Sequence, residues 1–140
     1  MAIVYFDSSA FVKLVVEEEG SELAAALWDG CDAAVSSRLA YPEVRAALAA
    51  AGRNHRLGAN EQRRAERVWE EFWSAIRVVE LTETITADAG ELASRHALRS
   101  ADAVHLASAR AIGGDDTLFA VWDQRLRSGA ETIGLNVAPV

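Results

Sequence analysis

The chain has 140 residues, with 14 basic and 21 acidic side chains, a formal net charge of −7 and a pI near 4.9. A length of this order buries roughly two-thirds of the unfolded surface in one domain, and the acidic balance argues against a duplex-DNA binder that works through a basic surface. The single Cys31 rules out an internal disulfide, no Cys/His set has zinc-site spacing, and a reducing, cytoplasmic setting is expected.

The first residues form an apolar run, Ala2-Ile3-Val4-Tyr5-Phe6, that reads as a buried strand and ends at Asp7. No basic region followed by a long apolar stretch precedes it, so neither a signal peptide nor a membrane anchor is expected. Asp7-Ser8-Ser9 supplies a helix cap, and Ala10 to Val16 reads as a short helix that runs into Glu17-Glu18-Glu19-Gly20. Ser21 precedes a second helix through about Trp28, ended by Asp29-Gly30, and Ala33-Ala34-Val35-Ser36 forms a second strand.

The Ala-rich segment from about Ser37 to Ala51 is helical, with Leu39, Val44, Leu48 and Ala51 near helical spacing and Gly52 as its stop. Pro42 leaves its start open. A helix capped by Ser37 would be kinked at Pro42, whereas one beginning at Pro42 would be capped by the poorly suited Tyr41. A longer helix from about Ala59 to Ala75 carries Val68, Trp69, Phe72, Trp73 and Ile76 on one side, a stripe that reads as core or dimer interface before base-stacking platform.

Arg77 to Leu81 is a third strand, and helices at about Thr84–Leu98 and Ser100–Ile112 follow, the second closed by Gly113-Gly114-Asp115-Asp116. Leu118 to Trp122 is a fourth strand ended by Asp123. A short helix then runs through Leu126, and Leu135-Asn136-Val137 is a final edge strand before Pro139. Alternating strands and helices predict an α/β fold with a parallel sheet, and no linker or repeat divides residues 1–140 into more than one domain.

Four acids stand beside apolar segments where a solubilising charge is not needed: Asp7, Glu43, Asp102 and Asp123. Asp7 and Asp123 follow strands of a parallel sheet, whose ligands bind in the crevice outside the carboxyl ends. Taken singly, each acid has an ordinary reading as a cap, an exposed helix residue, or a charge facing a helix N-terminus, the last worth a few tenths to about 1 kcal/mol. Taken together, two strand ends and two helix starts can converge on one crevice. Two carboxylates about 5 Å apart repel by about 3 kcal/mol at an effective dielectric near 20. Either some of them protonate or a divalent cation sits among them, and hard oxygen donors favour Mg²⁺ or Mn²⁺. The chemistry best served is hydrolysis of a phosphodiester by a metal-activated water.

Tyr5-Phe6-Asp7-Ser8-Ser9-Ala10, Pro42-Glu43-Val44-Arg45-Ala46-Ala47-Leu48, Ser100-Ala101-Asp102-Ala103-Val104-His105-Leu106-Ala107 and Trp122-Asp123-Gln124-Arg125-Leu126 resemble, in order, the acidic motifs of PIN-domain ribonucleases. Among these the chain is similar to the VapC toxins of VapBC toxin-antitoxin pairs. The resemblance implies a three-layer α/β/α fold with a four- to five-stranded parallel sheet and a Mg²⁺- or Mn²⁺-dependent endoribonuclease. It makes Asp7 and Asp102 the principal metal ligands, with Glu43 and Asp123 holding water or a second ion. Ser9 falls where the family often has a hydroxyl near the metal, while Trp122 departs from the small or polar residue that many relatives carry.

The same resemblance implies a homodimer, a cognate VapB-like antitoxin that occludes the acidic pocket, and a single-stranded or structured RNA substrate. Arg53, Arg56, Arg63 and Arg64 are the candidates for RNA contacts, against a plain reading as a solvated helix face interleaved with Glu61, Glu66, Glu70 and Glu71. His105 stands three residues after Asp102 on one helix and is weighed as a metal ligand, which a hard-oxygen site does not need. Two rivals are kept: a phosphatase of the haloacid-dehalogenase type, which wants an Asp where Ser9 stands, and a non-catalytic receiver-like or partner-binding module holding a structural cation.

Overall fold

Residues 2–139 are described by a computed structural model, in which a five-stranded sheet is covered by helices on both faces. The elements in chain order are β1 (Ile3–Phe6), α1 (Ser8–Val15), α2 (Ser21–Gly30), β2 (Ala33–Ser37), α3 (Ala40–Arg53), α4 (Ala59–Ser74), β3 (Arg77–Val79), α5 (Glu83–His96), α6 (Ser100–Ile112), β4 (Thr117–Ala120), α7 (Gln124–Thr132) and β5 (Asn136–Ala138). Every strand pair is parallel. No helix among the described residues is long and apolar enough to cross a membrane.

The strand order β3-β2-β1-β4-β5 means that the chain builds outward from β1 in one direction and then returns to its other side. The switch of direction falls between β1 and β4, where such sheets open a crevice at the carboxyl edge. Phe6 is in register with Ala120, so Asp7 and the Val121–Asp123 segment leave neighbouring central strands at that edge.

The pleat of β1 explains its unbroken apolar sequence. Val4 and Phe6 point into a layer with Phe11, Val44, Leu48 and Trp69, drawn from α1, α3 and α4. Tyr5 points the other way, among Leu92, Leu106, Phe119 and Leu126. Trp69 is fully buried against Phe11, with ring centroids 4.8 Å apart, so the α4 stripe is core at that position.

Several boundaries differ from the sequence reading: α3 runs through Gly52 to Arg53, and β3 ends at Val79, two residues short of Leu81. α3 begins at Ala40 and takes Pro42 into its first turn, where an N–H has no intrahelical partner to lose, and Ser37 Oγ instead accepts from Leu39 N at 3.1 Å. β4 ends at Ala120, two residues short of Trp122, and Asp123 caps the next helix. That helix, α7, continues to Thr132 because Leu126, Gly129 and Ala130 form a buried face. A Cβ on Gly129 would lie 3.1 Å from Leu106 Cδ1, so α7 approaches α6 closely at a residue with no side chain.

Candidate active site

The carboxyl edge of the sheet carries a cavity of about 470 Å³ whose lining includes Asp7, Ser9, Glu43, Asp102 and Asp123. The four acids therefore come together from four elements, as the sequence spacing alone could only suggest. Asp7 follows β1, Asp123 follows β4, Glu43 sits in the first turn of α3, and Asp102 in the first turn of α6.

The capping reading of two of these acids is also correct, and it contributes to the site. Asp7 Oδ1 accepts from Ala10 N at 2.9 Å, and Asp123 Oδ2 accepts from Leu126 N at 2.9 Å. Each cap fixes its carboxylate at a helix N-terminus, where the partial positive charge of the backbone stabilises an anion. Ser9 Oγ donates within 2.8 Å of Asp7 Oδ1 and 2.9 Å of Oδ2.

Asp7 is 4 % exposed, and its burial pushes the carboxyl above its ordinary range. His105, the Ala10 N–H and the Ser9 hydroxyl oppose the shift, while the neighbouring Glu43 adds to it. The group is a buried carboxylate short of positive charge. Asp102 is better provided: Arg99 Nε lies 3.3 Å from its Oδ2, with the guanidinium largely in solvent. Glu43 faces inward, its Oε1 2.6 Å from His105 Nε2.

The donor set tests whether a divalent cation fits. Among the described residues, no three His, Cys, Asp or Glu side chains are grouped so as to hold a metal ion between them. The acids instead ring an open, water-accessible space with hard oxygen donors only, which suits an ion that keeps several waters and takes one or two carboxylates. His105 does not join them, because Nε2 is engaged by Glu43 and Nδ1 lies 2.7 Å from the Tyr5 hydroxyl. Its ligand reading is set aside on that geometry.

Ser9 stands where a haloacid-dehalogenase phosphatase needs its second Asp, and its hydroxyl is already committed to Asp7. Arg53, Arg56, Arg63 and Arg64 are all exposed, and none lines the acidic cavity. Arg56 lies beside Val12, Glu17 and Leu57, and Arg63 shares another hollow with Arg45, Glu66 and Glu70. Two contributors escaped the sequence reading. Arg99 borders the cavity, and its signal was a basic residue three positions before Asp102. The other is the Tyr5–His105 contact, hinted at only by a polar-tipped aromatic inside a buried strand.

The sequence matches the PIN domain family over residues 4–130. It is 66 % identical over 139 residues to ribonuclease VapC45 of Mycobacterium tuberculosis, an alignment covering 99 % of this chain and 96 % of that protein. The fold is similar to that of FitAcB from Neisseria gonorrhoeae, with a TM-score of 0.70 at 17 % identity and coverage of 96 % of this chain and 95 % of the other. It is also similar to M. tuberculosis VapC20, described as a sarcin-ricin loop cleaving toxin, with a TM-score of 0.68 at 20 % identity, covering 89 % and 93 % of the two chains.

Proposed function

The chain belongs to the PIN-domain family, and on that premise we propose that it is a VapC-like endoribonuclease toxin that hydrolyses RNA phosphodiester bonds with a divalent metal ion. The observation that carries this reading is the convergence of Asp7, Glu43, Asp102 and Asp123 on one cavity at the sheet's switch point.

Asp7 and Asp102 are the principal ligands in this reading, from the two best-sheltered positions, and Glu43 and Asp123 orient water around them. Ser9 holds Asp7 in one rotamer. Mg²⁺ is the expected ion, with Mn²⁺ as a working substitute, since both take hard oxygen donors. Such an ion supplies a water of lowered pKa and offsets the charge that develops on the phosphodiester. Because this hydrolysis does not use the ribose 2′-OH as nucleophile, preference for RNA over single-stranded DNA comes from binding contacts.

VapC45 shares nearly the whole length of this chain, and solved structures of similar fold are VapBC complexes, so a cognate antitoxin and a homodimeric toxin complete the proposal. An apolar groove is lined by Tyr41, Pro42, Trp73 and Leu81, apart from the residues that line the acidic cavity.

The test is RNA cleavage by purified, antitoxin-free protein. Cleavage should require Mg²⁺ or Mn²⁺, and Asp7→Asn and Asp102→Asn should each abolish it while circular dichroism stays unchanged. Undiminished cleavage in EDTA, or by both variants, contradicts the proposal. Growth arrest on expression, relieved by the same substitutions, separates a toxin from a housekeeping nuclease.

A further inference from the structure

Glu43 differs from the other three acids in being held from the opposite layer of the fold. It rides on α3, which packs on one face of the sheet, yet its carboxylate meets His105 of α6, which packs on the other. His105 is 2 % exposed and Tyr5 fully buried, so Glu43 is held from the interior side. The Tyr5 ring is itself fixed, stacked on Phe119 at 5.3 Å and edge-on to the imidazole at 5.8 Å.

An ionised Glu43 fixes the direction of its contact with His105. A carboxylate accepts and does not donate, so Nε2 of His105 must carry the hydrogen in the 2.6 Å contact. In the neutral ring Nδ1 is then an acceptor, and the Tyr5 hydroxyl, 2.7 Å away, donates to it. Burial holds the Tyr5 phenol far above its ordinary range, which keeps that hydrogen in place. The opposite tautomer would set two acceptors against each other at Nε2.

We propose that Tyr5 and His105 form a buried positioning chain that locks the Glu43 carboxylate into the acidic cavity, with Tyr5 holding the imidazole and Nε2–H of His105 donating to Glu43. The proposal rests on Glu43 being one of the working acids of the proposed nuclease. A glutamate on a helix surface otherwise samples several rotamers, and the chain removes that freedom before substrate or metal arrives. Neither Tyr5 nor His105 touches the reacting atoms. Both act through Glu43, as hydrogen-bonding partners behind metal ligands do when they orient a carboxylate.

The experiment compares wild type, Tyr5→Phe, His105→Gln and Glu43→Gln. In metal-free protein, ¹⁵N-edited imidazole spectra should show His105 as the Nε2–H tautomer, kept in Tyr5→Phe, which retains the ring and its packing but loses the hydrogen bond at Nδ1, and turning into a mixture in Glu43→Gln, whose amide can accept or donate. Mn²⁺ affinity by titration should fall about 10-fold in Tyr5→Phe and His105→Gln, the lower end of the range for such partners. In RNA cleavage, kcat should fall with KM held within about twofold, and Tyr5→Phe should add nothing in the Glu43→Gln background, since groups acting through one another are not additive. An Nδ1–H tautomer in wild type, or Tyr5→Phe and Glu43→Gln losses that multiply, overturns the positioning chain. Absence of cleavage by wild type overturns the nuclease reading instead, while the tautomer and the Mn²⁺ titration still decide this one.

Discussion

Ser9 and Asp7 form a two-residue clamp: the hydroxyl lies 2.8 Å from one carboxylate oxygen and 2.9 Å from the other. A hydrogen bond to the ionised form lowers a carboxyl's pKa, and here it works against the burial that raises it. Ser9→Ala should therefore move the acidic limb of the cleavage profile to higher pH and lower activity at neutral pH. Ser9→Thr, which keeps the hydroxyl, should restore both. A pH–rate profile unchanged in Ser9→Ala would remove Ser9 from the site.

Burial of Asp7 also predicts a pH dependence of stability. Its folded pKa lies above the unfolded value, so the folded state binds that proton more tightly than the unfolded chain does. The stability this contributes is complete below the unfolded pKa and is lost as pH rises through the folded one. Metal-free Asp7→Asn should accordingly melt above wild type at neutral pH in EDTA, with the gap closing in acid, since Asn still caps α1. Saturating Mg²⁺ should reverse the order, because ligand at 100 times its Kd adds about 2.7 kcal/mol to the protein that binds it. Melting curves across pH, with EDTA and with Mg²⁺, measure both halves.

The acids were legible in the sequence because each sits at an element boundary that local chemistry marks. An apolar run followed by Asp7-Ser8-Ser9 announces a strand end and a cap at once, and Asp123 repeats the pattern after β4. What local chemistry does not carry is tertiary partnership. Tyr5 and His105 are 100 residues apart in sequence and meet only because β1 is central and α6 crosses its face. The start of α3 was undecidable for a related reason: Ser37 belongs to β2, and only the pairing of β2 with β3 fixes where the helix can begin. The extent of α7 depended on a packing surface, Leu106 under Gly129, that is supplied by another helix.

Arg99 gives a prediction that separates substrate binding from stability. Its side chain is 71 % exposed and its pairing with Asp102 spans 3.3 Å, an exposed ion pair of little weight in folding. It is the basic residue that borders the acidic cavity, within reach of both the carboxylate and an incoming phosphate. Arg99→Ala should leave the melting temperature nearly unchanged and raise KM for RNA about 10-fold, the loss of one charge-assisted hydrogen bond of about 1.4 kcal/mol. The dependence of log K on log salt should flatten by about 0.7, as for one phosphate contact to a single strand. An unchanged KM and slope would confine Arg99 to its pairing with Asp102.

The arginines at the far end of α3 and on α4 pose a question of reach. A helix rises about 1.5 Å per residue, so Arg53 lies roughly 15 Å along α3 from Glu43. Arg56, Arg63 and Arg64 are likewise exposed, and none of them lines the acidic cavity. A substrate cleaved at the acids touches them only if it extends well beyond the scissile bond. Replacing Arg53, Arg56, Arg63 and Arg64 together by alanine should leave kcat and KM unchanged on a short oligonucleotide and raise KM severalfold on a long RNA. The long-RNA defect should shrink as salt is added, because a contact to phosphate loses its counterion-release gain at high salt. Equal KM values for the variant and wild type on the long RNA would identify these residues as a solvated face balanced by Glu61, Glu66, Glu70 and Glu71.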